Sequence, residues 1–171
     1  AWIGAGTIPT LVYYGMKILS PSIFLLATTL ICSLSSLCTG TSWGTAETFG
    51  VALMGIGSGL GVPAAMTAGC VVTGALFGDK LSPLSDTVNL SAAACEVDIF
   101  AHIKSVLTTT IPAYLIALIA ATLLGFFFVD GTIDDHQTNA ILDAIESNFN
   151  VSPAFALISL IPLVIVLVLS A

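Results

Sequence analysis

The chain has 171 residues, of which 57% are hydrophobic and only 8% are charged. A soluble domain carries about 25% charged residues, so this composition excludes a water-soluble globular protein and indicates that the lipid bilayer surrounds most of the chain. The net charge of −7 also excludes a nucleic-acid partner, because three Lys and Arg residues against ten acidic ones leave no patch that neutralises phosphates.

Four apolar runs are long enough to be predicted as all or part of membrane-spanning helices. They cover residues 2–16, 21–38, 105–129 and 152–171. Pro21 stands at the start of the second run, where a helix tolerates proline. Because the first and last runs reach the ends of the sequence, we expect residues 1–171 to form a partial transmembrane domain, a fragment of a longer chain.

The middle of the chain differs from these runs, because residues 48–78 carry no charged side chain and are rich in glycine. Glycine and proline lower helix stability, so residues 57–63 (GSGLGVP) predict a broken helix or a re-entrant hairpin. Such breaks are tolerated at membrane depth where the backbone is buried or lines a cavity, and they are typical of transporter binding sites. The alternative is that the glycines serve only close helix packing.

Residues 40–44 (GTSWG) match the nucleophile pattern of α/β-hydrolases, but that pattern requires a preceding strand in a soluble sheet. Here the pattern follows an apolar run, so we expect no enzyme activity. The hydroxyls of Thr41, Ser42 and Thr45 instead offer oxygen ligands, which hard cations prefer. The sequence favours cation coordination, and the alternative is that these hydroxyls bond to their own helix.

Two carboxylates and one ammonium follow the uncharged stretch, namely Asp79, Lys80 and Asp86, and Pro83 between them predicts an interrupted helix. An ionisable side chain costs about 2.5–3.5 kcal/mol to insert into a bilayer, so a chain retains it where it carries ions or protons. A desolvated carboxylate can hold a proton or a cation but not readily both, and Lys80 can pair with either one. That competition is the minimal chemistry of cation/proton exchange, and the alternative is an ordinary polar loop.

Two polar stretches complete the pattern. Residues 91–104 are predicted to form a short amphipathic helix with Ser91 as its N-cap, and residues 130–150 hold five acidic residues and no Lys or Arg. We expect the second stretch to be an acidic, solvated loop.

Several distinctive segments stand together in the sequence, namely residues 39–45 (TGTSWGT), 50–57 (GVALMGIG), 63–69 (PAAMTAG), 77–87 (FGDKLSPLSDT) and 98–103 (DIFAHI). Together they closely resemble the NhaC-type sodium/proton antiporters, which belong to a larger superfamily of ion transporters. The resemblance is strong over about residues 36–110, which we therefore expect to be the ion-site core.

The resemblance implies an all-α, polytopic transmembrane protein built on inverted repeats, a secondary active antiporter that exchanges Na⁺ for H⁺ across a bacterial-type inner membrane. It implies no cofactor beyond the transported ions, and its partner is the remainder of its own fold, with an oligomer left open. The residues implied at the ion site are Asp86, Asp79, Thr41, Ser42, Ser82 and Ser85, with Lys80 as charge partner. We expect Asp86 to be the main carboxylate for Na⁺ and H⁺ and Asp79 the second, while Thr41 and Ser42 supply neutral ligands.

Two alternatives stay open at this point. The family also contains sodium-coupled malate/lactate exchangers, and an anion site in another part of the fold would make this chain one of them. A non-transporting membrane subunit held together by small-residue faces is the other alternative, although it has no need of the Asp and Lys cluster.

Overall fold

The computed structural model describes residues 12–16, 19–127 and 143. The regular structure within these residues is helical, which confirms the all-α prediction. After a helical stretch at residues 12–16, the described chain forms the helices α1 (Pro21–Thr39), α2 (Ser42–Thr45), α3 (Val51–Gly59), α4 (Ala64–Leu81), α5 (Asp86–Ala94) and α6 (Ile99–Phe127). The predicted run at 152–171, most of the run at 2–16 and nearly all of the acidic loop at 130–150 lie outside the described residues.

Helix α1 begins and ends at residues whose backbone suits those positions. Pro21 occupies the first turn, as predicted, because its fixed φ fits a helix and its missing N–H has no intrahelical partner to lose. Gly40 follows the last turn with φ +69°, and its N–H donates to the Ser36 carbonyl at 2.8 Å. Glycine enters this left-handed conformation without steric penalty, so it ends the helix sharply.

Residues 42–59 form one helix with a local widening. A π-helical turn, Ala46–Gly50, joins α2 to α3, and the backbone stays right-handed helical at both junctions. The 18 residues give a rod about 27 Å long. The rod ends at Leu60, and Gly61 turns with φ +71° before α4 begins after Pro63. The predicted helix break at residues 57–63 is confirmed.

Helices α1 and α4 run parallel and approach each other through small residues. Side chains added at Gly74 and Gly78 would overlap the carbonyl oxygens of Thr29 and Ser33 in α1. The Ser36 hydroxyl donates to the Ala75 carbonyl oxygen at 2.6 Å. Close packing through glycine, the alternative interpretation of these residues, therefore also holds at this helix pair.

The 42–59 helix and α6 both run antiparallel to this pair. At one end of the 42–59 helix, Gly57 lies against Phe24 of α1 and Thr67 of α4. In α6, Tyr114 hydrogen-bonds Ser33 and stacks on Phe77, with ring centroids 3.6 Å apart. Asp79 and the beginnings of α2 and α6 therefore lie at the same end of the bundle.

The predicted helix at residues 91–104 is wrong. Ser91 lies inside α5, where its hydroxyl donates to the Thr87 carbonyl oxygen one turn earlier at 2.7 Å. The chain turns after α5, and Glu96 adopts φ 53°. Asp98 then caps α6 through Oδ1, which accepts from the N–H groups of residues 100 and 101. A carboxylate ahead of a long apolar run caps a helix better than a serine already inside one.

Within the described residues, α1 and α6 are long and apolar enough to cross a membrane by length and composition. Helix α1 is almost half buried between its neighbours. Helix α6 exposes large apolar side chains along most of its length, among them Leu115, Ile116, Ile119 and Phe126. Such a surface needs lipid or further protein against it.

Candidate ion-binding site

Two of the non-helical breaks in the described part of the chain meet at one end of the bundle. The first break, residues 40–41, separates α1 from α2, and the second, residues 82–85, separates α4 from α5. A Cβ added to Gly40 would lie 2.7 Å from the carbonyl carbon of Leu84, so the backbones of the two breaks are in contact. The backbone N–H and C=O groups that lack an intrahelical partner at these helix ends are thus concentrated here.

Asp79 lies beside these breaks in the last turns of α4. Its side chain is 7% exposed, and its Oδ2 atom accepts a hydrogen bond of 3.1 Å from the Ser42 hydroxyl at the start of α2. Its Oδ1 atom is buried and has no hydrogen-bond partner among the described residues. Asp79 and Ser42, both predicted as site residues, are therefore brought together, with one carboxylate oxygen left open.

Ser82 and Ser85 are completely buried, and their hydroxyls stabilise the break itself. The Ser82 hydroxyl oxygen accepts from the Leu84 N–H at 3.2 Å. The Ser85 hydroxyl lies 2.9 Å from that of Thr87 and accepts from the Val88 N–H at 3.5 Å, which caps α5. These two residues shape the segment after Asp79.

Asp86 and Thr41 are exposed in this structure. The Asp86 carboxylate accepts from the Thr87 N–H at 2.8 Å in the first turn of α5. The Thr41 hydroxyl accepts from the Gly44 N–H at 3.2 Å and caps α2. Both side chains lie at the same end of the bundle as Asp79, at its surface.

Lys80 is exposed, and among the described residues it forms no ion pair with Asp79 or Asp86. Although it follows Asp79 directly in sequence, the helix turns its side chain away by about 100°. Glu47, the charge nearest to the site on the 42–59 helix, is exposed as well. The described part of the chain thus leaves the buried carboxylate without an ammonium partner.

Four buried hydroxyls have no hydrogen-bond partner in the described residues, those of Thr28, Ser35, Thr45 and Thr67, and Thr45 lies one helical turn after Ser42. Thr45 was a candidate from its motif. Ser35 was missed because α1 carries several serines and threonines, and the sequence alone does not say which of them face the other helices. The abundance of hydroxyls in an otherwise apolar run was the available signal.

The donor set consists of oxygen atoms. Among the described residues, no three His, Cys, Asp or Glu side chains come together as they do in transition-metal sites. Carboxylate and hydroxyl oxygens are the ligands of hard cations. The arrangement can also hold a proton on Asp79, because its Oδ1 atom is open.

Comparison with known proteins places these observations in a family context. The sequence model of the Na⁺/H⁺ antiporter family matches residues 74–171. The malate-2H⁺/Na⁺-lactate antiporter of Bacillus subtilis (strain 168) is 45% identical over 99% of this chain and 36% of its own length. The Na⁺/H⁺ antiporter NhaC of Alkalihalophilus pseudofirmus is also 45% identical, over 97% of this chain and 35% of its own length.

A third relative, the arginine/ornithine antiporter ArcD of Halobacterium salinarum, is 40% identical over 77% of this chain and 27% of its own length. The chain thus spans about a third of the length of the curated relatives it matches. No solved structure matches it.

Proposed function

Since the chain belongs to the Na⁺/H⁺ antiporter family, we propose that it is part of a secondary active antiporter that exchanges Na⁺ for H⁺ across the inner membrane of the cell. The observation that carries this proposal is the buried Asp79 carboxylate, with Oδ2 held by Ser42 and Oδ1 without a partner among the described residues. A buried polar atom in this state requires an explanation, and a bound cation or proton supplies one.

The surrounding backbone supports this role. Residues 40–41 and 82–85 interrupt α1 and α4 at the level of Asp79, and the two breaks touch through Gly40 and Leu84. In membrane transporters, discontinuous helices of this kind supply backbone groups that bind ions and substrates. An interruption that served packing alone would not need a buried carboxylate beside it.

Exchange follows from the competition of two occupants for one carboxylate. Either H⁺ or Na⁺ neutralises Asp79, and no Lys side chain in the described part of the chain does so instead. An empty, charged site is costly to move through the low-dielectric membrane, whereas an occupied one is neutral. Binding of Na⁺ on one side and of H⁺ on the other therefore couples the two movements.

The proposal gives Asp79 the leading role and Asp86 the second, the reverse of the expectation from sequence. Asp79 is 7% exposed and has an oxygen without a partner among the described residues, whereas Asp86 is exposed and its carboxylate accepts from the Thr87 N–H in the first turn of α5. Desolvation disfavours the bare, charged carboxylate, so a buried carboxylate has the stronger need for a bound H⁺ or Na⁺ and is the better exchange site.

The test compares Asp79→Asn with Asp86→Asn in the intact transporter, reconstituted in proteoliposomes that contain a pH-sensitive dye. Asparagine keeps the shape of aspartate and cannot cycle a proton. We expect Asp79→Asn to insert normally and lose Na⁺-driven proton movement, and Asp86→Asn to retain a measurable part of it. A dye response like that of the wild type in Asp79→Asn would remove Asp79 from the mechanism.

A sodium-coupled malate/lactate exchanger is the second candidate, since the chain is 45% identical to a relative of that name and to NhaC alike. The same Na⁺ and H⁺ site serves both functions, and an organic anion site would be added to it. Uptake of labelled malate against internal lactate, measured in the same proteoliposomes, separates the two. Uptake that requires Na⁺ would favour the exchanger, and its absence favours simple Na⁺/H⁺ exchange.

A further inference from the structure

Several Ser and Thr hydroxyls of α1 and of the 42–59 helix are satisfied by their own helix. They donate to a carbonyl oxygen one turn earlier, at 2.7–2.9 Å, in Thr29, Ser33, Thr39 and Thr48. Ser35 and Thr45 differ, as do Thr28 and Thr67, of which Thr67 lies against Gly57 at the other end of the 42–59 helix. Ser35 and Thr45 are 6% and 1% exposed, and neither hydroxyl has a partner within the described part of the chain.

Thr45 lies one helical turn after Ser42, the residue that hydrogen-bonds Asp79. It follows Ser42 by three residues, so both side chains lie on the same side of the 42–59 helix. The Ser42 hydroxyl donates to Asp79, which shows that this side faces α4. The Thr45 hydroxyl is buried on that side and does not bond back to its own helix, so it is available to a ligand held between the helices.

Ser35 approaches the same space from α1. It lies on one helix face with Phe24 and Thr28, and Phe24 contacts the 42–59 helix, since a Cβ at Gly57 would lie 3.0 Å from its ring. The next residue, Ser36, shows how far along the bundle Ser35 lies. A Cβ added at Gly78, the residue before Asp79, would lie 2.8 Å from the Cβ of Ser36. Ser35 thus reaches the level of the carboxylate from a third helix.

We propose that the hydroxyls of Ser35 and Thr45 bind the Na⁺ held by Asp79, together with the hydroxyl of Ser42. The proposal rests on Na⁺/H⁺ exchange at Asp79. Three helices then contribute one carboxylate and three neutral oxygens, which suits a hard monovalent cation. Asp79, Ser35 and Thr45 carry three of the five buried side-chain oxygens without a partner in the described residues, and a single ion would take up a lone pair from each of the three.

The decisive variants are Ser35→Ala and Thr45→Val in the intact transporter, because each removes one hydroxyl and little volume. The matched controls are Thr39→Val and Thr48→Val, whose hydroxyls bond to their own helix. We expect each decisive variant to raise the Na⁺ concentration for half-maximal exchange about tenfold or more, as loss of groups around a bound metal does, and each control to change it little. Thr45→Ser should restore the wild-type value.

A second measurement separates ion binding from structure. Melting temperatures are recorded with choline chloride and with NaCl at equal ionic strength, and we expect the decisive variants to lose the stabilisation by Na⁺ while melting near the wild type in choline. Should Ser35→Ala fold poorly, Ser35→Cys takes its place, because the Cys side chain has the shape of Ser with one larger atom, and thiol sulfur is a poor ligand for a hard cation.

The outcomes distinguish this inference from the proposed function. If Asp79→Asn is inactive while Ser35→Ala and Thr45→Val match their controls in Na⁺ dependence and in Na⁺ stabilisation, the ligand assignment is wrong and the exchange site at Asp79 stands. If Asp79→Asn exchanges like the wild type, the proposed function itself fails.

Discussion

Substitution of Gly78 by Ala tests the closest approach of α1 and α4. A Cβ at this position would overlap the Ser33 carbonyl oxygen and would lie 2.6 Å from the Leu37 amide nitrogen. These are backbone atoms, which cannot rotate away as the end of a side chain can, so the two helices must separate. Overpacking of this kind costs about 1–3 kcal/mol.

Gly69→Ala is the matched control in the same helix, because a Cβ there meets nothing within 4 Å. Both substitutions gain about 1 kcal/mol of helix propensity, so that gain cancels when the variants are compared. We therefore expect Gly78→Ala to be about 1–3 kcal/mol less stable than Gly69→Ala. Denaturant unfolding of the intact transporter in micelles, followed by circular dichroism, measures the difference.

The same substitution should also impair exchange, because Gly78 precedes Asp79 and any separation of α1 from α4 moves the carboxylate relative to Ser42. A misplacement of about 1 Å costs on the order of 100-fold in reactions that depend on positioned groups. Equal stability and equal exchange in the two variants would show that α1 and α4 do not meet at Gly78, and would refute the packing described here.

Two further predictions follow from the geometry of the break and from the shared carboxylate. Gly40→Ala should lose stability and exchange, because it combines the strain of φ +69° with a Cβ 2.7 Å from the Leu84 carbonyl carbon. Gly61 has φ +71°, and a Cβ there meets nothing within 4 Å, so Gly61→Ala carries the strain alone. The control should therefore keep exchange when both variants are assayed in proteoliposomes. Apparent Na⁺ affinity should fall about tenfold per pH unit wherever one proton competes with Na⁺, with protons released on binding. Calorimetry in buffers of different ionisation enthalpy measures that release, and tight Na⁺ binding without it at any pH would exclude a shared carboxylate.

The sequence predicted those features that depend on local chemistry. The start of α1 at Pro21, the break at residues 57–63 and the interruption around Pro83 each follow from backbone preferences of proline and glycine. The boundary between α5 and α6 was mispredicted because Ser91 and Asp98 are both good caps, and only the turn at Glu96 decides between them.

The ranking of the site residues could not be predicted in the same way. Asp79 and Asp86 stand seven residues apart in one motif, and nothing local says which one is buried. Asp79 is buried because α1 and the start of α2 lie against α4, and Asp86 is exposed because the chain turns before α5. The role proposed for Ser35 depends on the same packing of α1 against its neighbours. Such contacts arise from the packing of distant segments and leave no periodic signal in the sequence.

The glycines contribute both to local backbone conformation and to the packing of distant segments. Packing and interruption were alternative interpretations of them, and the structure divides the two roles by position. Gly74 and Gly78 bring the backbones of α1 and α4 together, whereas Gly40 ends α1 in a left-handed turn against Leu84. Close packing keeps Asp79 away from water, and the turn places Ser42 where it can donate to the carboxylate. Either role alone would give a buried carboxylate without ligands or a set of ligands without a buried charge, so the proposed ion site depends on both.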